Sequence, residues 1–431
     1  MRRRQSRPSP RLRFLGILLA FLGGPLLGQT NEEVFREFQF DFSVPGARAM
    51  GMGGAFIGTA DDATASFANP AGLAYLTDPG FTFEYRRLSE EGDEGSLPIG
   101  GETNSNIVFT EDPLSTGLWN FASANYRWRG WFFGVYHHVY LREKQRRFFD
   151  TRVLQGNFQR VESREVRLDF RGRTLGLGVA RRLGPLKLGA TFNYVRLAGE
   201  TEYFRNGFIR SLGNGGVRTL AYQSTIDDRD AGLGFNLGLL HEVNPNFTWG
   251  MVWRENPKLT LTESVLETVN EQPVLIEHFE VPFVVPDVFG TGLQWRARPN
   301  LRFMLDWQRI FYSEMIGDDF VIAESIQTEE AANYVVRDID QIHAGLEWLL
   351  AGERQVWAIR TGYFRNPPHT VSYVGDDPFI AERFTRTRPA DEDHVTVGLG
   401  WVLDNRFEVD AAANFRQDGR EVTLSVIWRM K

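Results

Sequence analysis

The residues able to do chemistry are sparse in this chain and fall into few spacings. No cysteine is present, which excludes thiol catalysis, a disulfide framework and a lipid-anchor cysteine. The histidines form no H-E-x-x-H pair, and no G-x-S-x-G marks a nucleophile elbow. An enzyme is therefore not expected, and no cofactor is implied. Gly51-Met52-Gly53-Gly54 has the glycine density of a phosphate loop, but no nucleotide fold follows it, so close packing is the better reading. Asp61-Asp62, Asp318-Asp319, Asp376-Asp377 and Asp391-Glu392-Asp393 offer carboxylates for Ca²⁺ in loops, or are solvated charge. Two groupings suit binding instead. His137 and His138 can meet a carboxylate headgroup, or serve as one rim residue and one lumen polar group. Arg146, Arg147 and Arg152 interleave with Phe148, Phe149, Val153, Leu154 and Phe158. Such a mixture suits an amphipathic acid, its chain on the aromatics and its carboxylate on a guanidinium fork; the same arginines can equally pair with lipid phosphates or loop acids.

Where these groups sit depends on what the chain builds. Arg2, Arg3, Arg4, Arg7, Arg11 and Arg13 precede an apolar run from Phe14 to Leu27, and Leu26-Leu27-Gly28 offers a cleavage site. Residues 1–28 are expected to be a signal peptide, since the run is short for a spanning helix. The formal net charge is −7, and loss of the leader arginines makes it more negative, which argues against nucleic-acid binding. No later segment approaches the ~20 apolar residues of a membrane helix. A secreted soluble β-protein and an outer-membrane barrel remain; 43 glycines and 13% aromatic residues favour the barrel.

Period-2 alternation dominates from Phe81 onward. Leu301, Phe303, Leu305 and Trp307 oppose Arg302, Met304, Asp306 and Gln308; Val422, Leu424, Val426 and Trp428 oppose Thr423, Ser425, Ile427 and Arg429. Apolar faces ~9–11 residues long match tilted membrane strands. Tight turns at Arg129-Gly130, Gly184-Pro185, Asn244-Pro245-Asn246, Arg298-Pro299-Asn300, Ala351-Gly352 and Asp404-Asn405 alternate with long polar excursions, 91–116, 145–166, 201–226, 262–280, 315–337 and 366–391. Outer-membrane barrels sort their loops this way, short on the periplasmic side and long outside. The fold expected is all-β, a fourteen-stranded antiparallel transmembrane β-barrel over residues 79–431, with both termini periplasmic and first and last strands paired.

A lumen of that width leaks unless filled. Residues 29–78 precede the first strand, and Pro45 to Leu76 is dense in Gly, Ala, Ser and Thr, so this segment reads as a plug. Turns at Gly51, Gly53, Gly54 and Gly58 lead to a short helix capped by Asp61 or Asp62, which must end near Asn69 because Pro70 follows. Asn69-Pro70-Ala71 then starts a second helical turn. Trp131 to Tyr140 is apolar on both faces, with Phe132, Gly134, Tyr136 and Tyr140 on one of them. That pattern suggests an inner face touching either the plug or a greasy ligand, and Gly134 is a candidate bulge or bend.

The run Ala47-Arg48-Ala49-Met50-Gly51-Met52-Gly53-Gly54-Ala55, then Ala60-Asp61-Asp62-Ala63 and Asn69-Pro70-Ala71-Gly72-Leu73, resembles the N-terminal hatch of the FadL/TodX family of outer-membrane transporters for long-chain fatty acids and aromatic hydrocarbons. Pro282 to Tyr312, Ile342 to Trp348 and Arg360 to Pro367 are similar to that family's later barrel. The resemblance implies an N-terminal hatch gating passive uptake: capture of a hydrophobic small molecule by external loops (Arg146, Phe148, Phe149, Arg152), an apolar pocket beside the hatch (Phe132, Tyr136, His138, Tyr140), and lateral exit at a kinked third strand near Gly134. Its implied partners are the ligand, outer-membrane lipid and lipopolysaccharide, and the barrel-assembly machinery. Family barrels that carry or scaffold exported proteins, and a plain porin, are the alternative roles. The chain ends Trp428-Arg429-Met430-Lys431 rather than on the terminal aromatic usual for such barrels.

Overall fold

The protein is described from a computed structural model covering residues 42, 44–92, 94–98, 106–317, 331–376, 391–417 and 419–430. The expected leader, residues 29–41 of the expected plug, and Asp318, Asp319 and Asp377 lie outside the described residues.

Fourteen antiparallel strands close into a barrel. They are β1 (Gly80–Glu90), β2 (Leu114–Trp128), β3 (Trp131–Gln155), β4 (Phe158–Leu183), β5 (Leu186–Ser211) and β6 (Val217–Asn244). Next come β7 (Phe247–Glu255, resuming as Lys258–Val269), β8 (Gln272–Val284, resuming as Val288–Arg298) and β9 (Leu301–Ile310). The last are β10 (Ile339–Ala351), β11 (Gln355–Asn366), β12 (Glu392–Leu403), β13 (Phe407–Arg416) and β14 (Gly419–Arg429). The sheet counts 18 hydrogen-bonded segments because β7 and β8 are each split and an outer hairpin, Glu94–Pro98 with Asn106–Glu111, joins it. β1 pairs with β14 from Gly80–Arg429 to Glu90–Gly419, so the first and last strands close the ring on each other.

The alternation is inside-out relative to a soluble sandwich. Phe83, Leu177, Phe192, Leu233, Leu305, Leu399 and Leu424 are exposed on the outer wall, while Thr82, Thr191, Asn236, Asp306, Thr396 and Ser425 are buried inside. At the short-turn end the aromatic pairs Phe81–Trp428, Trp295–Phe303 and Trp357–Trp401 form one interfacial girdle. Tyr85–Trp119 and Phe289–Trp307 belong to a second, toward the opposite end. Positive φ at Arg129-Gly130 and Asp404-Asn405 gives the primed two-residue turns that match strand twist.

Three excursions expected as loops are strands. Residues 145–166, 201–226 and 262–280 continue β3 to β8 beyond the apolar belt, turning at Gly156, near Gly215 and at Asn270-Glu271. Cross-strand pairs hold these extensions, Arg146–Glu165 at 2.8 Å, Arg167–Glu202 at 2.8 Å and Tyr203 edge-on to Tyr222. Because both faces there are largely polar, the strands carry no apolar dyad to announce them. Arg146, Phe148, Phe149 and Arg152 are thus on the β3 extension rather than in a loop.

Inside the barrel lie α1 (Ala47–Gly51), α2 (Ala65–Ala68) and a 3₁₀ helix (Pro70–Tyr75). Asn69 caps the last, its side chain accepting the Ala71 N–H at 3.2 Å with Pro70 at the first position. α2 is not capped as expected. Thr64 holds the cap position, and Asp62 instead accepts the Thr64 N–H at 2.9 Å and hydroxyl at 2.6 Å, closing the turn before it.

Candidate functional site: the plug, the wall and the gap between them

Charge anchors one side of the plug. Arg48 on α1 donates from Nε to Glu347 of β10 at 3.0 Å and from Nη1 to Asp61 at 2.6 Å. Arg302 of β9 meets Asp61 at 3.1 Å and Glu347 at 3.3 Å. Arg360 of β11 bridges Glu347 at 3.0 Å and Asp410 of β13 at 2.6 Å. Arg48, Glu347, Arg360 and Asp410 are all buried, so each ion depends on the others for compensation. Burial pushes the Asp61 carboxyl up, but Arg48 and Arg302 outweigh it and hold the group below the ordinary carboxylate range. Asp62, also buried and 3.6 Å from Arg48, is left with its carboxyl pushed up, burial being the larger influence. Nearby, Asp306 accepts the N–H groups of Phe56 and Ile57 at 2.6 and 2.7 Å.

The start of the plug sits on the closing pair of strands. Gly46 donates its N–H to Glu84 of β1, and Ala47 donates to the Ser425 hydroxyl of β14 at 3.2 Å. Farther on, Gly53 donates to Thr396 at 2.9 Å, and its carbonyl lies 2.7 Å from His343 Nδ1.

Glycines line the wall at several points where plug backbone comes closest to it. Gly134 pairs with Gly178, Gly189 with Gly238, Gly250 with Gly292 and Gly345 with Gly362. A Cβ on Gly362 would lie 2.1 Å from Gly53 N, one on Gly189 2.3 Å from the Pro70 carbonyl carbon, and one on Gly250 2.5 Å from Ile57 O. Gly51 repeats this contact against Gly398, where a Cβ on Gly51 would lie 3.0 Å from the Gly398 Cα. Gly53 and Gly54 take left-handed φ of +65° and +76°, which side chains rarely tolerate. Small residues on the plug are therefore matched by small residues on the wall.

On the third strand, Phe132, Gly134, Tyr136 and His138 all face the plug. Phe132 packs with Leu73, Tyr136 lies with Phe67 and Phe121, and the His138 ring stands 4.5 Å from Phe67. Gly134 is not the bend. It sits in a regular ladder with room only for Ser66 and Leu73, and the irregularity falls between Val139 and Leu141, with Tyr140 as the extra residue.

That bulge accompanies an opening. The β2–β3 ladder runs from Trp128–Trp131 to Phe121–His138, and that edge of β3 is next engaged where the Arg146 carbonyl accepts the Asp112 N–H at 3.1 Å and Arg147 pairs with Glu111 of the outer hairpin. Between those points the strands part. Behind them lies a cavity of about 730 Å³ above the plug, walled by Thr116, Leu118, Tyr140, Arg142, His343 and Glu421 among others. A groove of about 1140 Å³ lies beside the outer lips, and both spaces share Thr116, Arg142 and Gln145. The cavity is not a wholly apolar pocket. Phe42, Val44, Leu118, Tyr140 and Leu141 face Arg86, Arg147, His343, His394 and Glu421 across it. The greasy sector lies to one side, where Phe170, Leu197, Leu261, Phe283, Ile310 and Tyr312 pack against Phe42 and Tyr140.

The expected capture residues are partly committed elsewhere. Arg146 holds Glu165 at 2.8 Å and stacks over Phe148 at 4.6 Å. Three of the acidic residues considered for Ca²⁺ are likewise engaged. Asp61 binds arginines, Asp391 pairs with Arg365, and Asp393 accepts the Tyr363 hydroxyl at 2.6 Å. Among the described residues no metal-holding group of three such side chains occurs. The sequence reading missed Glu347, Arg302, Arg360 and Asp410. Their signal was charge at lumen-facing positions of neighbouring strands at one height.

These features define a class, a transmembrane barrel corked by its own leading segment and interrupted in its wall. No family model matches the chain, and no curated protein matches it in sequence. Solved structures do match. A FadL homologue from Pseudomonas aeruginosa superposes with TM-score 0.62 at 13% identity, over 91% of this chain and 100% of that one. The toluene transporter TbuX of Ralstonia pickettii gives 0.57 at 14% identity, with 91% and 100% covered. The Pseudomonas putida toluene transporter TodX gives 0.55 at 16% identity, with 90% and 98% covered. The chain has the fold of the FadL and TodX barrels.

Proposed function

We propose that the protein is an outer-membrane channel for passive uptake of small, largely hydrophobic molecules. The plug blocks the axial path, and cargo leaves sideways between β2 and β3, with both termini in the periplasm. The observation that supports this reading is the parted ladder between His138 and Arg146, opening onto a cavity directly above the plug. An unpaired strand edge beside lipid is tolerated only where something else occupies it, so a wall gap at the outer margin of the apolar belt suits a port. The mixed lining favours cargo with one polar end and an apolar body, the body toward Tyr140 and the neighbouring greasy sector. Gating is assigned to movement of the plug about Gly53 and Gly54.

Deleting Tyr140 removes the extra residue and lets β2 and β3 pair past His138. Uptake of labelled oleate and of toluene by cells carrying the variant as their sole such channel is expected to fall about tenfold, with heat-modifiable gel mobility intact. Undiminished uptake of both compounds by a folded variant overturns the lateral route.

A further inference from the structure

On the outer wall, β4 and β5 place two arginines directly opposite each other, Arg173 and Arg196. Both are exposed. Like charges so placed repel, and among the described residues neither side chain has an acidic partner. The contrast with the rows beyond is sharp. Arg142 and Arg171 share Asp169, Arg146 and Arg167 share Glu165, and Arg167 also reaches Glu202. The chain thus supplies a carboxylate to these outward arginines of the extension and withholds one at the first row.

That row has a defined height. Immediately below it, toward the short turns, come Leu175, Tyr194 and Leu233, exposed by 51%, 49% and 79%, and then Leu177 and Phe192 at 62% and 68%. Apolar side chains this exposed belong in hydrocarbon. Arg173 and Arg196 therefore stand at the level where lipid tails give way to headgroups, with Arg229 on β6 one row farther out. Guanidinium pairs bind phosphate oxygens bidentately, and a snorkelling stem keeps the charge at that level.

We propose that Arg173 and Arg196, assisted by Arg229, hold a phosphate of the phosphorylated glycolipid of the outer leaflet. The assignment rests on the proposed orientation, extensions outward and termini periplasmic. The arginines singled out from the sequence, Arg146 and Arg152, are not the ones this site uses.

The test uses full-length protein in mild detergent and two probes, lipid A with both phosphates and lipid A stripped of them. The Arg173→Gln/Arg196→Gln variant is expected to bind the phosphorylated lipid about tenfold more weakly. The Arg146→Gln/Arg167→Gln control, which removes the same charge from a self-compensated row, should stay within about twofold of the parent protein. Added salt should weaken parent binding. Unaltered binding by Arg173→Gln/Arg196→Gln, equal loss in the control, or equal binding of the stripped lipid each overturns the site. Orientation is read separately from antibody access on intact cells to a tag inserted at Gly215. A periplasmic tag removes the outer-leaflet assignment even where detergent binding is phosphate-selective.

Discussion

The plug meets two unlike surfaces. Toward β9 to β13 it is gripped by a buried web of charges running Asp61–Arg48–Glu347–Arg360–Asp410, closed by Arg302. Toward β3 to β6, among the described residues, no ion pair holds it: Leu73 lies on Phe132 and Ala180, Pro70 lies against Gly189 and Gly238, and neutral hydrogen bonds join Thr191 to the Ser66 carbonyl at 2.9 Å and Asn69 to the Leu239 carbonyl at 3.1 Å. The first kind of contact is directional and fails as a unit, because removing one ion strands the others in low dielectric. The second is neutral, packing joined by a few uncharged hydrogen bonds, and losing part of it strands no ion and leaves the remainder working. A plug held by ions on one flank and by packing and neutral hydrogen bonds on the other loosens more readily from the neutral flank, which is also the flank beside the gap.

Changing Gly53 to Val should have the largest effect, because it blocks seating itself rather than one contact. Its Cβ would fall 2.7 Å from Tyr363 N at a φ of +65°, so the plug cannot seat. Planar-bilayer recordings should show a leak, and a closed channel would contradict the seating argument. Glu347→Gln breaks the charged flank alone. Uncovering Arg48, Arg302 and Arg360 should cost about 3–5 kcal/mol, read as a lower unfolding midpoint together with raised conductance. Leu73→Ala loosens the packed flank alone, at about 3 kcal/mol, and should leave the charged flank closed to ions; a leak equal to that of Glu347→Gln would erase the distinction.

The neighbouring carboxylates give the smallest effect and sharpen it. Asp61 is held below its ordinary range, so it stabilises the plug above the unfolded-state value and loses that only as pH falls through its lowered folded value. Asp62 is raised, so its ionised form is the costly one, and acidification through its raised value relieves that cost. Asp61→Asn should therefore destabilise at pH 7 by about 2 kcal/mol, whereas Asp62→Asn should change stability by less than about 1 kcal/mol. Equal losses in thermal unfolding would show that the two are not differently compensated.

The barrel was legible in sequence because lipid enforces a dyad pattern and because turns and excursions alternate in length. The plug was legible through its small residues, as the contact of Gly53 with Gly362 shows. Three things were hidden for physical reasons. Strands with polar groups on both faces, such as Arg160 to Arg167, are stabilised by cross-strand pairing that a single strand does not display. The bulge at Tyr140 inserts one residue into a run already apolar on both faces, so no alternation breaks to mark it, and Gly134 drew the attention instead. The charge web joins residues as far apart as Arg48 and Asp410, and only strand register brings them level. The wall glycines were visible but mute until the plug was placed against them.

Gly46 and Ala47 bond to Glu84 and Ser425, which stand on the first and last strands of the ring. Half of that cradle is synthesised before almost all of the sheet, and half only when the chain is nearly finished. The leading segment therefore has no complete berth in any partly built intermediate, and docking and ring closure become one event. A ring that closes around its cork, rather than an open pore plugged afterwards, is then the expected product of insertion.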